Sequence, residues 1–256
     1  MLLAIDAGNT NTVFAVYDGD TRRGQWRLST DSERTADEYA VWLMALMTLE
    51  GLERGDIDAA ILATVVPQAT FDLKRLCRHY FGATPLEVGN TVILDLKIAL
   101  PKPEEVGADR LVNAVAAHKI YGGPAIVIDF GTSTNFDIID GEGTYLGGIL
   151  APGINLSLEA LHMAAAKLPR IAVARPETVI GTGTVPAMQS GIYYGYLGLI
   201  EGLVERTITE FGAPMTVIAT GGLAPLFAEG TDAIQHVDPD LTMRGLLEIW
   251  QRNAKS

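Results

Sequence analysis

The feature that most constrains this chain is a strand and turn that occur twice. Leu2 to Asp18 reads LLAIDAGNTNTVFAVYD, and Ala125 to Asp140 reads AIVIDFGTSTNFDIID. Each copy opens with apolar residues of the kind buried in a sheet, turns through an Asp, a spacer and a Gly, and returns as a second strand. Asp6 aligns with Asp129, Gly8 with Gly131 and Thr10 with Ser133 at one constant offset. A single copy reads equally well as a β-hairpin whose Asp and Asn satisfy turn backbone. Two copies, half the chain apart, predict a duplicated domain with its ligand held between the halves.

Turns of this composition suit phosphate. Glycine lets the backbone bend and approach a ligand, and the amides and hydroxyls around Thr10 and Asn11 can donate to phosphate oxygens. Asp6, at the carboxyl end of its strand, is compatible with a phosphate only if a cation sits between them, usually hydrated magnesium. The net charge of -12 excludes nucleic acid and anionic membrane as general surface partners. The Walker pattern is absent, and none of the six lysines lies in a glycine-rich turn. Phosphate would therefore be held by backbone amides, hydroxyls and a metal.

A chain of 256 residues with 48% hydrophobic and 20% charged content has ample material for a core. It shows no apolar run of the ~18 residues that a membrane span needs. The N-terminus enters a strand directly, without a basic segment and cleavage site, so a cytoplasmic location is expected. The single cysteine, Cys77, reads as a packing residue in a helix, and the four histidines lack the close spacing of a zinc site.

Further along, Val13 to Tyr17 and Trp26 to Thr30 read as strands, and Thr35 to Leu49 as a helix opened by a capping box of Thr35 and Glu38. Ala59 to Val66 reads as a buried strand ending at Pro67, and Thr70 to Phe81 as a helix. Pro85 to Val88 and Val92 to Asp95 read as short strands. Pro101 to Ala117, PKPEEVGADRLVNAVAA, is an acidic loop running into a helix whose first turn carries Asp109 and Arg110. That pair reads either as a helix cap with its surface partner, or as a proton acceptor beside a cation that holds an anionic substrate.

With those residues in view, the chain resembles the type III pantothenate kinases of the actin, sugar kinase and Hsp70-like superfamily. The resemblance runs through Asp6 to Val13, Thr64 to Pro67, Val106 to Arg110, Asp129 to Thr134, Gly147 to Gly153, Gly181 to Gly191 and Thr220 to Gly222. It implies an α/β fold of duplicated actin-like, ribonuclease H-like halves, each a mixed β-sheet with packed helices, at residues 1–117 and 118–256. It further implies transfer of the ATP γ-phosphate to pantothenate, giving 4'-phosphopantothenate in the opening step of coenzyme A synthesis. Position by position it assigns Asp6, Ala7, Gly8, Asn9, Thr10, Asn11, Thr12 and Val13 to ATP and its metal, with Asp6 reaching Mg2+ through water. Thr132 matches an ATP contact. Leu100, Gly107, Ala108, Asp109, Arg110 and Thr184 match pantothenate contacts, Leu100 standing where the family more often has a tyrosine. Asp109 is the implied proton acceptor, and Asp129 the implied ligand of K+ or NH4+. Thr220 to Gly222 resembles the superfamily's adenosine-binding turn.

The remaining elements are a helix over Asn155 to Lys167, a long helix over Pro186 to Phe211, a buried strand over Met215 to Ala219 and a closing helix over Leu241 to Ala254. In the long helix Gly191, Gly195, Gly198 and Gly202 share one face. That stripe admits another helix of the same chain or the same helix of a second subunit, and the resemblance implies a homodimer. The expected protein is thus a cytoplasmic, homodimeric kinase. The competing readings are a non-catalytic nucleotide-binding regulatory relative, or a kinase of another small alcohol.

Overall fold

The structure is a computed structural model that describes residues 1–89, 92–165 and 167–254. The chain divides into two compact units, residues 1–96, 101–116 and 241–256 forming one, and 97–100 with 117–240 the other. In the first, β1 (Leu2–Ala7), β2 (Asn11–Asp18) and β3 (Thr21–Ser29) form an antiparallel meander. Helix α1 (Ala36–Leu49) follows, then β4 (Ala59–Thr64), α2 (Pro67–Arg75), β5 (Pro85–Glu87) and α3 (Ala108–Tyr121), whose residues from Ala117 on count with the second unit. The sheet order is β3-β2-β1-β4-β5, with β4 parallel to both β1 and β5.

In the second unit β6 (Ala125–Phe130), β7 (Ser133–Ile139) and β8 (Tyr145–Pro152) repeat the meander. After α4 (Ile154–Ala164) and α5 (Thr184–Phe211), β9 (Thr216–Gly221) pairs parallel to β6. The short α6 (Ala224–Ala228) leads to β10 (His236–Val237), parallel to β9. The order β8-β7-β6-β9-β10 is the first sheet's order strand for strand, so the duplication expected from the sequence is present. The closing helix, α7 (Leu241–Ala254), groups with the first unit.

Alternation along β1 explains this grouping. Leu3 and Ile5 point into one core with Phe14, Tyr39, Leu43 and Leu73, under α1 and α2. Leu2 and Ala4 point into another with Val112, Val115, Leu246 and Ile249, so α3 and α7 cover the opposite face. A strand buried on both faces reads as a continuous apolar run. Helix α7 returns to the first unit, where its apolar stripe covers the second face of the first sheet. In the second unit Ile126 and Ile128 pack with Tyr193, Tyr196, Ile200 and Phe227.

Several boundaries differ from the sequence reading. Strand β3 begins at Thr21, since the polar stretch Thr21–Gln25 forms an edge. Helix α2 starts at Pro67, where a proline suits the first helical turn, and gives way to a π-helical turn at Leu76–Tyr80. Val92–Asp95 is not a strand. There Ile93 exchanges backbone hydrogen bonds with the Asn253 side chain, Leu94 O accepts from Arg252, and Asp95 has a left-handed φ of 51°. Helix α4 ends at Ala164, with Ala165 extended; Ala166, within the expected helix, lies outside the described residues. Helix α5 begins two residues early, at Thr184.

Candidate active site

In the first unit the residues singled out by the sequence gather at the carboxyl ends of β1 and β4. The turn after β1 is closed by the Gly8 N–H donating to Asn11 O at 3.0 Å. Gly8 itself has no positive φ, and a Cβ there would lie 3.4 Å from Asn11 O, so the bend does not require a glycine. Asn9, Thr10 and Asn11 are exposed, Asp6 and Gly8 half-buried, and Thr12 fully buried. Ala7 O accepts from the Val65 N–H at 3.1 Å, which ties this turn to the end of β4. A Cβ placed on Gly107 would lie 3.4 Å from Val65 Cγ1 and 2.6 Å from Asp109 Oδ1. The Gly107–Arg110 segment therefore sits against the strand end that neighbours Asp6, and Asp6 and Asp109 share one end of the sheet.

Asp109 occupies the first turn of α3, where backbone N–H groups favour a carboxylate. Gly107 O accepts from the N–H groups of Arg110 and Leu111 and so starts the helix. Burial pushes the Asp109 carboxyl above the usual aspartate range, against the Arg110 backbone N–H that donates to Oδ1 at 2.8 Å and the nearby Arg110 charge. A carboxylate raised toward neutrality is a better proton acceptor than a solvated one.

In the second unit the equivalent sheet end carries Asp129, Gly131 and Thr132, with the Gly131 N–H donating to Ser133 O at 3.0 Å. This turn is one residue shorter than the first. Asp6 pairs with Val13, seven positions on, whereas Asp129 pairs with Asn135, six positions on. The constant offset therefore holds through the glycines and slips by one afterwards. Thr10 corresponds to Thr132, and Thr12 to Thr134, both of which are fully buried for the second pair. Beside this turn, β9 ends at Thr220 and Gly221, in register with Asp129 and Phe130, so the turn expected to hold adenosine directly neighbours the Asp129 strand end.

Leu100 and Thr184 lie elsewhere in the second unit. Leu100 packs at the β8 edge, its Cδ2 3.5 Å from where a Cβ on Gly147 would be. Thr184 opens α5 and lines an apolar groove of about 470 Å³ with Leu161, Met188 and Gly191. Helix α4 starts beside the second turn and reaches that groove at Leu161, about 10 Å along its axis. Sequence reasoning missed Thr30 and Tyr196. The Tyr196 hydroxyl bonds to Pro152 O at 3.0 Å and also to Ser157, fixing the start of α4.

No group of three His, Cys, Asp or Glu side chains among the described residues is placed to hold an ion. A lone carboxylate beside an open, amide-rich turn nevertheless fits a divalent ion of the magnesium type, which keeps waters and takes ligands from substrate phosphates. Cys77 is outside this chemistry, since burial pushes its thiol up to about 12.

Two copies of one mixed sheet, each with a glycine turn and an aspartate at the end of its first strand, define a duplicated actin-like fold. A structure of the activator of the 2-hydroxyisocaproyl-CoA dehydratase from Clostridium difficile, with bound ADPNP, shares this fold. Its TM-score is 0.56 at 12% identity, over 100% of this chain and 97% of that one. The sequence profile described as type III pantothenate kinase matches residues 2–206. The type III pantothenate kinase of Rhodospirillum rubrum is 68% identical over 254 residues, covering 99% of each chain. That of Paramagnetospirillum magneticum is 69% identical over 255 residues, covering 99% of this chain and 98% of the relative. The chain belongs to the type III pantothenate kinase family. It is a kinase that uses ATP with a divalent metal, and its acceptor is pantothenate.

Proposed function

We propose that this kinase binds the ATP phosphates at the Asp6–Val13 turn, with Thr132 as a further ATP contact, and positions pantothenate with Leu100, Gly107, Ala108, Arg110 and Thr184. The observation that carries this reading is the placement of Asp109 and the Asp6 turn at one end of the first sheet, linked through Val65 and Gly107. A primary alcohol attacks phosphorus through a loose transition state, so its proton leaves late and positioning supplies most of the rate. Asp109 Oδ1 is engaged by the Arg110 N–H, and Oδ2 orients the hydroxyl and receives its proton. Arg110 holds the pantothenate carboxylate.

Asp6 would hold Mg2+ through water and Asp129 would hold K+ or NH4+, cations that would supply positive charge toward the phosphate oxygens in turns that lack lysine. The reaction takes place in the cytoplasm. The active form is a homodimer joined through the exposed face of α5.

Incubating purified protein with ATP, Mg2+, K+ and pantothenate tests the reading. The expected products are ADP and 4'-phosphopantothenate, with turnover lost when K+ is replaced by Na+. A folded protein that binds ATP but phosphorylates nothing, or phosphorylates only another alcohol, would overturn it.

A further inference from the structure

Thr30 stands just past the end of β3 and makes three hydrogen bonds into the first turn. Its N–H donates to Thr10 O at 2.9 Å, its hydroxyl donates to Gly8 O at 2.6 Å, and the same oxygen lies 2.9 Å from Thr12 Oγ1. A hydroxyl has one proton, and a carbonyl can only accept. The Thr30 proton is therefore committed to Gly8, and Thr12 is the donor to Thr30. Thr12 is fully buried, and the buried Tyr39 hydroxyl lies against it from α1.

We infer that Thr30 is a positioning residue for phosphate binding, a clamp that aims the amides of the first turn. In a planar trans peptide the C=O of one residue and the N–H of the next point in opposite directions. Holding Gly8 O and Thr10 O toward Thr30 turns the N–H groups of Asn9 and Asn11 away from it, to the open side of the turn. Those are the amides an anion would meet. Donors fixed in place before the ligand arrives lose less conformational freedom on binding.

The second turn serves as an internal control. Its partner strand places Pro152 opposite Ser133, as β3 places Ser29 opposite Asn11, so Gly153 occupies the position of Thr30. Glycine has no hydroxyl, and Gly153 instead presses directly on the Thr132 carbonyl: a Cβ there would lie 2.1 Å from Thr132 O. Thr134, the counterpart of Thr12, donates to Pro152 O instead. The hydroxyl clamp belongs to the first turn alone, the one assigned to the ATP phosphates.

The inference rests on that assignment, and its test is read from ATP binding as well as from turnover. Thr30→Val keeps shape and backbone N–H but removes the hydroxyl. It should weaken Mg-ATP binding by calorimetry about tenfold and raise the KM for ATP similarly, with the KM for pantothenate changed less than about twofold. Thr30→Ser should restore the ATP affinity to within about threefold of the parent. If Thr30→Val does not fold, Thr30→Ala carries the same comparison with Thr30→Ser. An unchanged ATP affinity in the hydroxyl-free variant, equal losses in the Ser variant, or parallel rises in both KM values would each overturn the clamp. A parent that binds Mg-ATP yet leaves pantothenate untouched would instead overturn the functional reading, while the clamp is still decided by the ATP affinities.

Discussion

Asp109 is the residue at which structure and chemistry pull in opposite directions. Its carboxyl is raised by burial, and Arg110 only partly offsets this. The native state thus holds the Asp109 proton more tightly than the unfolded chain does. By linkage, stability falls as pH rises from the ordinary aspartate value through the raised one. Asp109→Asn should consequently have a higher Tm than the parent at pH 7, with the gap closing below the ordinary aspartate range. The same variant should lose about a hundredfold or more in kcat. In the parent, kcat should rise with pH through the raised value as the carboxylate forms. An Asn variant that keeps full activity, or one less stable than the parent at neutral pH, would contradict this account. Asp109 was legible in the sequence because an acidic residue in the first turn of a helix after a glycine is a local signal. Thr30 was not: its partners are 18 to 22 positions away, and a threonine at the end of an edge strand carries no local mark.

Among the elements, the parallel strands and the long helices were readable because burial on both faces makes continuous apolar runs, and capping is local. What escaped was decided by distant partners. Val92–Asp95 has strand composition, yet its backbone bonds go to side chains of α7, some 160 residues on. The one-residue difference between the two turns is equally hidden, since only the register across β6 and β7 reveals it. Strand β9 shows what a neighbouring element demands of a turn. Gly221 has φ +90°, and a Cβ there would lie 2.6 Å from Phe130 O, on the strand that carries Asp129. Gly221→Ala should cost about 2 kcal/mol or more in urea unfolding, and it should weaken ATP binding, since relief comes only by pushing the Asp129 strand end away. A substitution tolerated in both measurements would mean that β6 and β9 are less tightly held together than their register implies.

At the scale of the whole molecule the open question is what the glycine face of α5 touches. Interior glycines cost about 1 kcal/mol each relative to alanine, so a helix of this length keeps them only where a side chain would obstruct something. Among the described residues little is obstructed: a Cβ on Gly191, Gly195 or Gly198 would meet no heavy atom within 4 Å, and one on Gly202 would meet only the flexible end of Arg206, Nη1 at 3.0 Å. The first three are exposed, and the apolar groove lined by Gly191 and Ile192 continues the same surface. An intrachain helix, the alternative left open by the sequence, therefore does not explain the stripe. Replacing Gly191, Gly195 and Gly198 by alanine separates the remaining possibilities. If the protein were a monomer, the triple variant should gain stability from helix propensity alone. If two copies of α5 meet along this face, added methyl groups hold them apart, and light scattering should show the variant as a monomer at concentrations where the parent is a dimer. Loss of pantothenate phosphorylation together with the dimer would make Thr184, at the head of the same helix, part of a site that is complete only in the assembled pair.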